Sequence, residues 1–406
     1  MLQKRPEVLA PAGDMEKLRF AVAYGADAVY LAGKAYGMRT ASGNFTPDEM
    51  AEAVQYCHAR GVKVYVTVNT LPRDDEMAQL PAYLSSLDEM GVDALILADL
   101  GVLMLAKRHA PHCEIHISTQ TSIVNAQAAC AWHELGASRV VLARELTLEQ
   151  IAHIRKNTPE TLELEAFVHG AMCMAYSGRC MLSQYLAGRD ANRGNCAQPC
   201  RWGYSVVEQY RPGEYMPIEE DEHGTYIFNS KDMNMLPFVD RVAEAGIDSL
   251  KIEGRVKTAY YAAVVTNAYR RAAELYAADP GAFSPPEELL QEVLKVSHRE
   301  YFTGFYFGDP KTQHMADSTY IREWDVCAVV EECDEQGNAR LRHKNKFFAA
   351  DELELLMPGK AAQPLCLGTM ENEAHESIEL ANVPHMTVYA KLPFAAPPMS
   401  ILRRKK

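Results

Sequence analysis

Four cysteines fall within 28 residues: Cys173, Cys180, Cys196 and Cys200, spaced C-x6-C-x15-C-x3-C. Thiolates gathered this closely suit both zinc and iron–sulfur clusters, because each accepts soft sulfur ligands. Structural zinc usually shows a tight cysteine pair at each end of the motif. Here only the second pair is tight. Gly178, Gly188, Gly194 and Pro199 interrupt the segment, as expected of a loop folded around a cluster with backbone N–H groups turned toward sulfur. The spacing favours iron–sulfur and keeps zinc as the second metal. Cys57, Cys113, Cys130, Cys327, Cys333 and Cys366 are scattered and read as packing residues.

The same stretch carries Arg179, Arg189, Arg193 and Arg201 against a single Asp190, a net +3 in a chain of formal charge −13. Arginine binds phosphate and carboxylate bidentately, so the expected role is an anion site for an RNA backbone or a carboxylate substrate. The terminal run Arg403–Lys406 reads as a frayed tail, with contact to RNA as the alternative.

These groups need a frame. The chain has 406 residues, 48% of them apolar, enough for two or three domains and too much for a disordered chain. No run of eighteen apolar residues is present, so no membrane-spanning helix is expected. The opening residues lack the apolar stretch of a secretory leader, so a cytoplasmic protein with reduced cysteines is expected. Overall acidity argues against a broad nucleic-acid coat but allows a local basic site.

Short β-branched runs alternate with amphipathic helical stretches. Strands are predicted at Glu7–Gly13, Asp27–Gly33, Lys63–Thr70, Ala94–Leu100, Glu114–Gln120, Arg139–Glu145, Glu163–Gly170 and Ser249–Arg255. Between them, YGADAVY, RGVKVYV, MGVDALIL, LGASRVVL and AGIDSLKI each read as a helix stopped by glycine and feeding a parallel strand. Eight such units predict an α/β protein with a (β/α)8 TIM-barrel-like body over residues 1–278. A doubly wound sheet is the alternative, weakened because no GxGxxG follows the first strand. A long excursion over 171–236 interrupts the pattern between the last two strands. A helical linker region over 279–323 and a small antiparallel β domain over 324–406 complete the expected organisation.

Alternation along the strands places Tyr65, Thr67 and Asn69 on one face, His116, Ser118 and Gln120 on another, Glu165, Phe167 and His169 on a third, and Lys251, Glu253 and Arg255 on a fourth. Apolar faces pack on helices, so these polar faces are expected inside the barrel, either as a salt-bridged core or as an active site at the strand C-terminal ends. His169, Glu253 and Arg255 stand at such ends as candidate catalytic residues: a proton shuttle, a partner that orients a base or substrate, and a carboxylate clamp. Asn69 and Gln120 are candidates to hydrogen-bond a pyrimidine edge, and Arg179, Arg189 and Arg193 to hold phosphate. Lys231 and Asp232 are expected either to line the same mouth or to cap the following helix.

Glu165-x-Phe167-x-x-Gly170-Ala171-Met172-Cys173, followed by Gly178-x-Cys180-x-Leu182-Ser183, resembles the signature of the collagenase-like peptidase family U32. Leu9–Asp14 (LAPAGD), Gly25–Gly33 (GADAVYLAG), Asn192–Trp202 (NRGNCAQPCRW), Asn229–Asp232 (NSKD) and Ser249–Arg255 (SLKIEGR) fit it too. The resemblance implies a barrel body with a 4Fe–4S cluster on Cys173, Cys180, Cys196 and Cys200, and oxygen-independent hydroxylation. The length matches a tRNA-hydroxylating branch, which implies 5-hydroxyuridine at the wobble position with prephenate, a small carboxylate, as co-substrate. The implied partners are tRNA and an iron–sulfur assembly protein or a second member of the family. Two other readings stand beside it: a peptidase, as the family's name asserts, and a zinc-stabilised RNA- or protein-binding module. The residues give the peptidase little support, since His133-Glu134 and His375-Glu376 lack the second histidine of HExxH and no GxSxG elbow occurs.

Overall fold

The β-branched runs become strands β1 (Glu7–Pro11), β2 (Ala28–Leu31), β3 (Lys63–Val68), β4 (Ala94–Leu97), β5 (Glu114–Ile117), β6 (Arg139–Val141) and β7 (Glu163–Ala171). They appear in a computed structural model that describes residues 5–38, 43–172, 180–191, 194–199, 202, 220–221, 224–225, 231–308 and 320–406. Two short strands pair as a hairpin, β8 (Glu220–Asp221) with β9 (Gly224–Thr225). They are followed by β10 (Asp232–Asn234), β11 (Ser249–Ile252) and β12 (Tyr301–Phe302). The parallel order β11-β1-β2-β3-β4-β5-β6-β7 closes because β7 also pairs with β11. The expected eight-stranded barrel is therefore present.

Local chemistry sets the βα units. Thr46 and Thr147 make reciprocal capping boxes with Glu49 and Gln150, and Asp14 caps the first helix by accepting from the Lys17 N–H. Gly25, Gly61, Gly91, Gly136 and Gly246 all take positive φ where the helices stop, as the five glycine signals predict. Gly13 is required for another reason. A Cβ there would lie 2.0 Å from the Arg255 carbonyl oxygen, so the LAPAGD and SLKIEGR segments touch backbone to backbone.

The excursion starts and ends on one ladder. At the end of β7, Ala171, Gly170 and His169 pair antiparallel with Asp232, Met233 and Asn234 of β10, and β12 adds to the far side of β10. The helix at Ala259–Ala278 then packs back against the barrel, burying Tyr261, Tyr269 and Tyr276.

From Trp324 the chain enters an eight-stranded antiparallel sheet that includes β13 (Trp324–Cys333) and β14 (Asn338–His343), with its own core around Cys327, Leu341, Phe347, Leu355, Val388 and Leu402. Polar side chains fix this sheet to the barrel. The Tyr24 hydroxyl lies 3.0 Å from the carbonyl oxygens of both Leu356 and Met399. The Asn267 side chain donates to the Lys360 carbonyl and accepts from the Gly359 N–H. Arg403, expected in a frayed tail, instead lies fully buried in a strand, Ile401–Lys405, between the carboxylates of Glu292 and Glu354. Pairing to β13, the buried carboxylate of Glu292 and the half-buried one of Glu354 hold it there. Among the described residues no helix is long and apolar enough to cross a membrane.

Candidate active site at the barrel mouth

The polar interior divides into two layers. At the strand N-terminal ends Arg139 reaches Glu7 at 2.6 Å, Glu163 at 2.6 Å and Glu165 at 3.1 Å. Lys251 closes on the other oxygen of Glu165 at 2.5 Å, and the Tyr65 and Ser249 hydroxyls donate to Glu7. Burial alone would raise the Glu165 carboxyl. Lys251 and Arg139 outweigh it and hold the group below the usual carboxylate range. This layer is the salt-bridged core, and it accounts for three residues of the predicted polar faces, Tyr65, Glu165 and Lys251.

Asn69, Gln120 and Arg255 meet at the other end. The Asn69 amide donates to the Gln120 carbonyl oxygen at 2.5 Å, and the Ser118 hydroxyl donates to that oxygen at 3.1 Å. The Met38 N–H donates to the Asn69 oxygen at 3.2 Å, while the Arg255 guanidinium donates to the Met38 carbonyl. Met38, in the loop after β2, thus bridges Asn69 and Arg255, and Asn69 carries the link on to Gln120. Arg144 joins this end. It is 8% exposed, lies 5.2 Å over the Phe167 ring and donates to the Ala171 carbonyl. Sequence reasoning did not single it out, although its position at the end of the RVVLARE strand is the signal that marked Arg255.

His169 is elsewhere. The β7–β11 register shifts so that Phe167 faces Lys251 while His169 faces Ile252. The extra residue, Val168, reverses the alternation. Phe167 lies against Lys251 inside the barrel, and His169 turns out with Leu250 and Ile252 toward the helix Ala259–Ala278. There Tyr261, Tyr269 and Tyr301 surround it, with Nε2 3.1 Å from the Tyr301 hydroxyl. Burial, reinforced by His298 and Lys257, lowers its pKa to about 3, so it stays neutral. A neutral imidazole locked under a helix is a packing and positioning group, not the mouth-facing shuttle its alternation predicts.

Glu253 is half-buried at the rim. Its N–H donates to the His169 carbonyl, its own carbonyl accepts from Tyr261, and it lines a cavity of about 460 Å³ with Lys257, Arg299, Tyr320, Ala171 and Gln198. Asp232 neither caps the helix Val239–Glu244 nor opens to the mouth. It is 1% exposed in β10, 3.8 Å from Lys257 and accepting from the Arg299 N–H. Lys231 pairs with Glu300 at 2.5 Å.

Of the cysteine segment, Cys173, Cys200, Arg179 and Arg193 lie outside the described residues. Neither Cys180 nor Cys196 is in a disulfide, and the Cys196 sulfur accepts the Gln198 N–H at 3.3 Å. Backbone N–H donation to sulfur is the kind of bond that tunes an iron–sulfur ligand, so the Cys196 sulfur is compatible with a sulfur-ligated centre. Gln198 also lines the cavity at the ends of β7 and β11, which puts this segment at the strand C-terminal edge. Arg189 is exposed and bonds Asn195. By contrast Cys57, Cys113 and Cys327 are buried, and burial pushes each thiol up to about 12, the behaviour of packing cysteines.

Comparison with known proteins follows the same division of the chain. A model described as Peptidase family U32 matches residues 13–316, and one described as Peptidase family U32 C-terminal domain matches 322–403. The tRNA hydroxylation protein P1 of Bacillus subtilis is 37% identical, covering 100% of this chain and 96% of its own. The tRNA hydroxylation protein P of Escherichia coli is also 37% identical, over 96% of this chain and 94% of that one. A collagenase of Porphyromonas gingivalis is 34% identical, over 74% of this chain and 73% of its own.

Proposed function

The chain belongs to peptidase family U32, and on that footing we propose that it is an RNA-modifying enzyme that hydroxylates tRNA. One observation carries this reading: near-complete coverage, through barrel and β domain together, by two relatives named for tRNA hydroxylation. The finer form of the proposal is oxygen-independent formation of 5-hydroxyuridine at the wobble position, with prephenate as co-substrate.

Cys173, Cys180, Cys196 and Cys200 would hold a 4Fe–4S cluster. Such a cluster supplies one-electron chemistry when bound. The chain's own residues bind and orient. Asn69 is fixed by Met38 and Gln120, so the Gln120 amide nitrogen is left to donate to a pyrimidine carbonyl. Arg255 holds the Met38 backbone in register and would clamp a carboxylate by exchanging that contact for a charged one. Arg189, with Arg179 and Arg193, would meet phosphate.

Nucleoside analysis by mass spectrometry tests the proposal. tRNA from cells lacking the protein should lose the hydroxylated wobble uridine, the wild-type gene should restore it, and Cys196→Ser should not. An unchanged nucleoside profile in the deletion strain would sink the tRNA reading. Anaerobic purification with iron and sulfide analysis tests the cofactor, and a colourless protein with stoichiometric zinc would overturn it. The collagenase relative motivates a second reading, peptide-bond hydrolysis, in which purified protein cleaves gelatin and Cys173→Ser abolishes cleavage.

A further inference from the structure

The cysteine segment exposes apolar side chains that neither its fold nor its proposed ligand set uses. Tyr185 is 87% exposed, Met181 71% and Leu186 40%, on or beside the short helix Leu182–Ala187. Trp202 of the same segment is 42% exposed. The helix has a clear inner face. Ser183 is fully buried and its hydroxyl accepts the Ala197 N–H at 2.9 Å, which ties the helix to the strip running through Cys196 to the cavity-lining Gln198. Tyr185, two residues on, lies about 200° around the helix from Ser183 and faces away from that attachment. Met181 falls on the same side as Tyr185, one turn back. Gly188 then ends the helix in the left-handed conformation, and Arg189 follows it, exposed. A tyrosine this exposed, with an exposed methionine one turn back, contributes little to packing.

We propose that Tyr185, with Met181 alongside, is a stacking platform for an unpaired RNA base, a role that rests on the RNA reading above. The occupant is chosen by charge and by shape. The segment 171–202 carries net +3 in a chain of −13, so it is the part of the molecule best matched to a polyanion. Single-stranded RNA is recognised by splaying bases onto aromatic faces while arginines meet the phosphates; Tyr185 offers the face, and the arginines of the same segment supply the charge. A paired stem presents no free base face, so the platform selects a loop.

Binding separates this inference from the catalytic one. Anaerobically purified full-length protein is titrated with a fluorescent stem-loop RNA and with a duplex of the same loop sequence. Wild-type protein should prefer the loop. Tyr185→Ala should weaken loop binding roughly 5- to 100-fold and leave duplex binding unchanged. Tyr185→Phe, which keeps the ring, should restore it. Because Tyr185 is exposed, both variants should melt with the wild type. Loop binding unchanged in Tyr185→Ala overturns the platform alone. The same holds if that substitution instead abolishes a concentration-dependent dimer, which would give the face to a second copy of the chain. Wild-type protein that binds neither probe overturns both the platform and the RNA reading.

Discussion

At the N-terminal ends of the barrel strands Arg139 commits its guanidinium to Glu7, Glu163 and Glu165, all residues of the strands themselves. At the C-terminal ends Arg255 and Asn69 reach instead for the backbone of Met38, in a loop. Both ends are polar and mostly buried, yet one is saturated by fixed charges and the other by contacts a ligand can replace. Polarity inside a barrel therefore does not mark a site by itself. What marks the mouth is that Asn69, Gln120 and Met38 are joined through neutral amide and backbone groups, which a substrate can replace. The lower layer fixes strand register, so the upper one can be rearranged without unfolding the frame.

The sharpest way to break that contrast is at the foundation. Arg139→Met leaves three carboxylates facing one another around a buried point, with Lys251 alone to balance Glu165. Removing one partner of a buried ion cluster costs about 3–5 kcal/mol. Chemical denaturation should register a loss of that size. Arg340→Met, which strips a partly exposed arginine from Glu331 and Glu332, should cost about 0–1 kcal/mol by the same measurement. Equal losses in the two variants would remove the distinction between foundation and surface.

Much of this architecture is legible in the sequence. Glycine stops and β-branched runs locate the eight strands because each is a local signal. His169 is harder to place, since period-two alternation assumes an unbroken ladder and the extra residue at Val168 reverses it. Nothing in ELEAFVHG announces that bulge. Arg403 is misread for a related reason: a basic run near a chain end looks solvated until Glu292 and Glu354, distant in sequence, are seen to enclose it. Cysteine spacing names the candidate ligands without giving their geometry.

His169 makes a second and smaller test, because the bulge moves it from the mouth into the packing. Its folded pKa, about 3, lies below the ordinary histidine value of 6.5. As pH falls the unfolded chain takes up the proton first, so this contribution is complete above pH 6.5 and is lost between 6.5 and 3. Between pH 6.5 and 5 the loss reaches about 2 kcal/mol. His169→Gln should flatten that part of the stability–pH curve, measured by urea midpoints. His116, His298 and His343, also lowered by burial, keep a residual slope. A curve unchanged by the substitution would return His169 to the solvent-accessible mouth.

The smallest expected change is the one most specific to the mouth. Gln120→Ala removes the neutral hydrogen bonds that Asn69 and Ser118 donate to it and the amide donor offered to the substrate. A neutral hydrogen bond contributes about 0.5–1.5 kcal/mol, so kcat/KM for tRNA hydroxylation should fall up to about tenfold. The melting temperature should hardly move, because Gln120 is only half-buried and its partner Asn69 keeps the Met38 N–H. Gln120→Glu sharpens the result. It keeps the acceptor that Asn69 uses and loses the donor, so activity should fall as in the alanine variant while the Asn69 contact survives. If Gln120→Glu instead retains full activity, the amide donor is not what the substrate reads. The mouth would then act only through the backbone it holds in place.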